Sequence, residues 1–381
     1  MRNRLEKITL KGFKTIRELV DFKLEPLTVQ IGPNGAGKSN FLSFFHMLAL
    51  TVPLPHEFEL YVGQQGGASV LLLDGPDKTR EIEAEITIAT EDGEVQYHFQ
   101  LAFAAGDTLI YADESFRHSS PGFILESPWH ELGAGHRESR LTIEAGRGDM
   151  TADLIINLFR EVRRYQFNNT SWTAGMRLKC DLDDTSCLIQ NAANIAPFLW
   201  KLKENDRKYY LRIVDTIRLI LPFFADFELE PQYGKLLLRW RERDSDRLFS
   251  ASQAADGMLR VIALVTLLLQ PEETLPDVLI LDEPELGLHP YAINVIAGLI
   301  RAASINTQVI VATQSTAFVD CFEPEDIVVV DRENRESTFR RLNSADLKEW
   351  LEDYSLSELW EKNVIGGRPL WRQDSRMQEI V

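Results

Sequence analysis

The chain has 381 residues, 44% of them hydrophobic and 26% charged, a balance that excludes a disordered, collagen-like or disulfide-scaffold protein. Its three cysteines, Cys180, Cys187 and Cys321, form no C-x-x-C pair and lie at no metal-ligand spacing, which fits packing thiols in a reducing compartment. A net charge of −17 argues against a protein that coats nucleic acid with its whole surface, because phosphate neutralisation needs cations.

The N-terminus is charged and alternating, without the apolar core of a signal peptide. The apolar runs at Val261–Leu269 and Val278–Leu281 fall far short of the ~20 residues of a membrane span, so a cytoplasmic protein with no membrane partner is expected. Leu5–Leu10 reads as a strand, Phe13–Leu19 leads through a turn, and Leu27–Ile31 is a short apolar strand ending at Gly32. A helix is predicted from Ser39 to about Leu50, with Phe41, Phe44, Phe45 and Leu48 on one face and Pro53 and Pro55 beyond its end. Period-two patterning runs from about Val70 to Leu125, with a hairpin of Ile82–Ile88 and Val95–Phe103 turning at Glu91-Asp92-Gly93. The stretch from Ser119 to Gly148 is predicted irregular, and its His118, His130 and His136 carry no assigned role.

Asp153–Tyr165, Ala193–Leu202 and Lys208–Leu221 carry helical periodicity, the last ended by Pro222. No heptad pattern persists. Lys235–Arg241 is strand-like, and a helix is predicted over Gly257–Leu269. Two small basic clusters, Arg160 with Arg163 and Arg164, and Arg239 with Arg241 and Arg243, read as solvated charge. In the final third, Val278–Leu281 and Gln308–Ala312 are predicted buried strands flanking a helix at Tyr291–Ala303. Asp326–Asp331 and Ser337–Leu342 form a terminal strand pair turning at Asn334. A helix near Ala345–Glu352 and a segment bearing Trp360, Gly366, Gly367 and Pro369 complete the chain.

Gly32 to Ser39, GPNGAGKS, fits G-x-x-x-x-G-K-[ST] at every fixed position, after a strand and at the start of a helix. Gly35 and Gly37 let backbone N–H groups turn toward phosphates, and the helix N-terminus adds its dipole. Lys38 is expected to reach the β- and γ-phosphates of ATP, and Ser39 to ligate Mg²⁺. The strand Val278–Asp282 sets Asp282 at the carboxyl edge of a sheet, where it would hold Mg²⁺ through water. Glu283 suits a general base that orients the attacking water. Ser39 and Asp282 lie 243 positions apart, so a further unit is inserted between them. Within it, Asp256-Gly257 opens an apolar helix whose free N–H groups can grip a phosphate of a second molecule.

Together GPNGAGKSN, AADGMLR, LDEPELGLHP and VIVATQS resemble the ABC-type ATPase heads of the SMC, RecF and OLD-like group, in the family's order and over nearly the whole chain. Compact bacterial ATPases labelled AAA, found in mobile and defence gene pairs without a coiled coil or fused Toprim nuclease, are similar too, down to the ending SLSELWEKNVIGGRP. The resemblance implies an α/β P-loop NTPase, an ABC-type head with a mixed sheet core, an antiparallel β subdomain and an inserted helical lobe. Its expected divisions are residues 1–150 (P-loop and β subdomain), 151–270 (helical lobe with the signature turn) and 271–381 (Asp282, D-loop, switch and tail).

Residue by residue, the resemblance implies that Pro33, Asn34, Gly35, Ala36, Gly37, Lys38, Ser39 and Asn40 bind nucleotide and that Lys14 of GFKT touches its phosphates. It implies that Asp256, Gly257 and Met258 form the signature turn for a partner subunit's ATP, and that Leu286–His289 is the D-loop. Gln64 or, in first place, Gln65 is the expected metal-site glutamine, and Gln314 the switch residue. Ala255 stands where the family has serine, and Gln314 where many relatives have histidine; an amide carries no proton or charge, so slow hydrolysis is expected. The implied activity is a slow ATPase that dimerises around two ATP molecules and controls a separate effector, such as a nuclease in phage defence. The alternative is a DNA-binding repair or recombination ATPase.

Overall fold

The structure is a computed structural model that describes residues 3–119, 127–183 and 185–367. Pro369 of the tail and the residues around Leu125 lie outside the described residues. The chain begins with β1 (Arg4–Phe13), β2 (Ile16–Lys23) and β3 (Leu27–Ile31), followed by α1 (Lys38–Thr51), α2 (Glu57–Gln64) and α3 (Ala68–Leu71). Next come β4 (Glu81–Thr90), β5 (Gly93–Ala104), β6 (Thr108–Ser119), β7 (His130–Glu131), α4 (Leu141–Gly146), α5 (Met150–Arg160) and β8 (Val162–Tyr165). The inserted lobe holds β9 (Cys180–Asp181), α6 (Ile195–Asn205), α7 (Arg207–Ile220), β10 (Phe224–Phe227), β11 (Lys235–Leu236), β12 (Arg239–Glu242), β13 (Leu248–Ser250) and α8 (Asp256–Leu269). The chain then returns through β14 (Val278–Asp282), α9 (Pro290–Ala303), β15 (Gln308–Thr313), α10 (Thr316–Val319), β16 (Ile327–Glu333), β17 (Glu336–Arg341), α11 (Ser344–Leu351) and α12 (Leu356–Glu361).

Two six-stranded sheets carry the fold. One is antiparallel, in the order β2-β1-β4-β5-β6-β7; the other is mixed, in the order β17-β16-β3-β15-β14-β8, and parallel except for β17. Strands buried on both faces read as continuous apolar runs, and β14 and β15 do so. Alternate residues then serve two cores: Val278, Ile280, Ile310 and Ala312 join α1 and the antiparallel sheet, while Leu279, Leu281, Val309 and Val311 join the inserted lobe. Helix α1 lies in the first core and also buries Leu42 and Met47, so its apolar surface exceeds the single expected face.

The period-two stretch resolves into the β4–β5 hairpin plus a third long strand, β6. At the β16–β17 turn, Asn334 and Arg335 both take positive φ, the conformation that two-residue hairpin loops with the native twist require.

The largest departure from expectation lies at 153–165. The helix ends at Arg160, and Val162–Tyr165 is a strand pairing in parallel with β14. Consequently the expected division at residue 151 falls inside α5, and the chain leaves the core sheet only after Tyr165. Lys235–Arg241 likewise divides into β11 and β12. Among the described residues no helix exceeds 14 residues, and none is long and apolar enough to cross a membrane.

Candidate nucleotide site

The loop from Gly32 to Gly37 links β3 to α1 at the carboxyl edge of the mixed sheet. Two of its glycines are required by geometry. A Cβ at Gly32 would overlap the Val330 carbonyl, and one at Gly37, which sits at φ 119°, would overlap the Ser337 hydroxyl. Behind the loop, Ser337 Oγ donates to the Ala36 carbonyl (2.5 Å) and pairs with Thr15 Oγ1 (2.6 Å), which also accepts from Asn40 Nδ2 (2.7 Å). Arg332 donates to the Gly35 carbonyl at 3.2 Å. Asn34, Gly35 and Ser39 stay exposed.

Lys38 is buried, and its ammonium donates to its own loop at the Gly32 (2.5 Å) and Pro33 (3.2 Å) carbonyls. Burial lowers its pKa, partly offset by the charges of Glu283, Asp282 and Glu285. Lys14 takes φ 52° at the β1–β2 turn and donates to Ser43 Oγ of α1 at 3.0 Å; burial, then the Arg164 charge, lowers its pKa.

Asp282, at the end of β14, is buried and accepts from Arg164 Nη2 at 2.6 Å and Gln166 Nε2 at 3.3 Å. Both bonds fall on Oδ2. Arg164 is thus the counter-ion of Asp282 and not a solvated charge, and Arg163 pairs beside it with Glu161 at 3.0 Å. Neither Gln64 nor Gln65 bonds to Ser39 or Asp282; Gln64 ends α2 exposed, and Gln65 caps it through its own backbone N–H. The glutamine at the acidic end is Gln166, which follows β8 directly. Its sequence signal, a polar residue after the short run Val162–Tyr165, was hidden because that run continues the helical period of α5.

Glu283 adopts φ 50° and accepts from Gln314 Nε2 at 2.8 Å, so the expected base and switch residue meet. Glu285 is buried and accepts from Thr313 Oγ1 at 2.5 Å, while its Oε2 has no partner. A cavity of about 420 Å³ borders this group, walled by Gly32–Asn34, by Gln314 and Thr316, and by Trp360, Glu361 and Gly367 of the tail. Oxygen-only donors here, the free Ser39 hydroxyl and Asp282, suit Mg²⁺, which takes few protein ligands and completes its shell with water and phosphate.

The expected signature turn, Asp256 to Met258, opens α8. Its N-cap, Ala255, offers no side-chain cap, so the first N–H groups are left for another partner. Asp256 is exposed, Gly257 approaches the Gly287 carbonyl of the D-loop closely, and Met258 is buried beside a cavity of about 600 Å³. Arg260 joins the segments: its guanidinium donates to Phe167 O (3.2 Å), Asn168 O (3.2 Å) and Leu286 O (2.8 Å). Within one chain no hydrogen bond joins Asp256, Gly257 or Met258 to the phosphate loop among the described residues.

Comparison with solved structures places the fold among ABC-type heads. An SMC head bound to the C-terminal winged-helix domain of ScpA superposes with a TM-score of 0.61 at 15% identity, covering 91% of this chain and 99% of that one. The SMC head with an extended coiled coil bound to the C-terminal domain of ScpA, derived from Pyrococcus furiosus, gives 0.58 at 14% identity, covering 92% and 99%. A search of curated protein sequences finds no match. The fold is that of a compact SMC-like P-loop ATPase head without a coiled coil. A family model described as "AAA domain, putative AbiEii toxin, Type IV TA system" matches residues 27–320. That match runs from β3 past the switch residue and spans more than half of the chain, so the protein belongs to this AAA-domain family of ATPases.

Proposed function

We propose that the chain binds ATP with Mg²⁺ and hydrolyses it slowly between two copies of itself, and that the closed dimer controls a separate protein effector. One observation carries the reading. The phosphate-loop Lys38 feels the charges of Asp282 and Glu283, the start of α8 is uncapped and exposed, and among the described residues no hydrogen bond joins that start to the phosphate loop within a chain.

In this reading Ser39 and Asp282 would hold Mg²⁺, which would supply charge neutralisation at the phosphate oxygens. Lys38 exchanges the Gly32 and Pro33 carbonyls for phosphate oxygens. The Glu283 carboxylate accepts a proton from the attacking water, and the Gln314 amide fixes that carboxylate. The neutral Gln314 and the missing hydroxyl at Ala255 each remove an interaction with developing charge, which favours slow turnover. The acidic surface total and the likeness to heads solved with a bound protein domain both support a protein as the controlled partner.

Subunit mixing tests the composite site. Lys38→Ala and Gly257→Trp should each abolish ATP hydrolysis alone, because each spoils one half of both sites. Mixed in equal amounts, they should recover roughly a quarter of wild-type activity, through the one intact site of each mixed dimer. No recovery with proven mixed dimers would exclude sites shared across subunits.

A further inference from the structure

The start of α8 presents an electrostatic difficulty. Helix N-termini favour anions, but the first residue here, Asp256, is itself an exposed carboxylate and would face an incoming phosphate as a like charge. We propose that Arg177 resolves this as a positioning residue: it neutralises Asp256 and fixes the preceding turn from behind, making the face competent to receive a partner-bound triphosphate. This rests on the face-to-face dimer above.

Arg177 lies far from α8 in sequence, on the segment that follows Gln166, and its side chain is only 8% exposed. Every nitrogen of its guanidinium is used. Nε donates to Thr170 O at 2.9 Å, and Nη1 donates to Ala251 O and, at 3.1 Å, to Ala254 O. Nη2 donates to Ala254 O at 3.1 Å and to Asp256 Oδ1 at 2.9 Å.

Two consequences follow. First, the always-charged and largely buried guanidinium holds a fixed positive charge against the Asp256 carboxylate. Asp256 itself is 61% exposed, so the neutralised pair meets the interface through its acidic member. Second, in a planar trans peptide the N–H points opposite to the carbonyl. Drawing the Ala254 carbonyl inward onto Arg177 therefore turns the exposed Ala255 N–H outward, adding a donor where the family's serine hydroxyl is missing.

A charge cycle separates this role from simple support of the turn. Dimerisation with Mg²⁺-ATP is read as mass in solution, and nucleotide binding to the monomer by a fluorescent ATP analogue, for Arg177→Gln, Asp256→Asn, the double variant and Arg177→Lys. Arg177→Gln should bind nucleotide normally but dimerise about ten- to a hundredfold less well, the range for an uncompensated charge at an interface. Asp256→Asn should dimerise at least as well as wild type, and the double variant should recover the charge-dependent part of the loss, dimerising clearly better than Arg177→Gln. Arg177→Lys keeps the charge without the fork and should dimerise better than Arg177→Gln though short of wild type, which covers the case where the Gln variant fails to fold. A folded double variant as defective as Arg177→Gln, or a folded Arg177→Lys that cannot dimerise, would overturn the inference while leaving the dimer reading intact. A wild-type chain that ATP never dimerises would overturn both.

Discussion

At the residue scale, the site is a set of charges each answered by a specific neighbour, and two of those answers can be tested. Gln166 reaches Asp282 whereas Gln65 does not. Gln166→Ala should lower Mg²⁺-dependent hydrolysis about ten- to a hundredfold, as the loss of a group that orients a metal ligand does, and Gln65→Ala should leave it unchanged. Equal effects in a steady-state phosphate-release assay would return the role to the α2 end. Glu285 offers a pH test. Burial raises its carboxyl above the ordinary 4.5, with the Glu283 charge adding to the rise and the Thr313 hydroxyl opposing it. A group raised in the folded state contributes stability that is complete below the unfolded value and lost as pH climbs through the folded one. As pH climbs, wild type loses that stability while Glu285→Gln, which cannot ionise, does not, so the Tm of Glu285→Gln should gain on that of wild type as pH rises. Toward pH 4.5 that advantage should shrink; a gap independent of pH would exclude a buried ionised carboxylate as its source.

At the element scale, legibility followed length and periodicity. The phosphate loop, β14, β15 and α9 were readable because each combines an unbroken pattern with turn residues at fixed offsets. By contrast, β8 has four residues, two of them arginines, and follows α5 with a single intervening residue, so the helical period ran through it and carried Gln166 and Arg164 out of view. Contacts such as Arg177 with Asp256 join positions 79 apart and leave no local pattern at all. The helix α8 was legible in both respects: its apolar run was plain, and the free N–H groups read at Asp256-Gly257 correspond to a start whose N-cap, Ala255, makes no side-chain bond. Ala255 already has the extended backbone of an N-cap, at φ −65° and ψ 149°. Ala255→Ser should add about 1 kcal/mol to stability against urea by capping the first turn. It should also lower the ATP concentration at which dimers form, since the hydroxyl joins the phosphate-facing donors. Unchanged stability would mean that the turn cannot present a serine side chain to the helix.

At the scale of the whole molecule, the two sheets and the inserted lobe hold the phosphate loop and the start of α8 apart, and in the proposed dimer a second copy would bring them together. ATP can shift such an equilibrium by no more than its preference for the closed dimer over the open chain. In the proposed cycle the open chain, with Glu283 bonded to Gln314 and Lys38 to its own loop, is the resting form, and closure would require the triphosphate to displace the Lys38 bonds. The net charge of −17 adds long-range repulsion between copies, so closure should strengthen as salt screens it. The most direct test is the mass of the purified protein in solution with Mg²⁺-ATP, for wild type and Glu283→Gln. The expected result is a monomer without nucleotide, a transient dimer with ATP, and a dimer that persists in Glu283→Gln because the bound ATP is not consumed. A mass that ATP leaves unchanged in both proteins would contradict a site built between two copies of the chain.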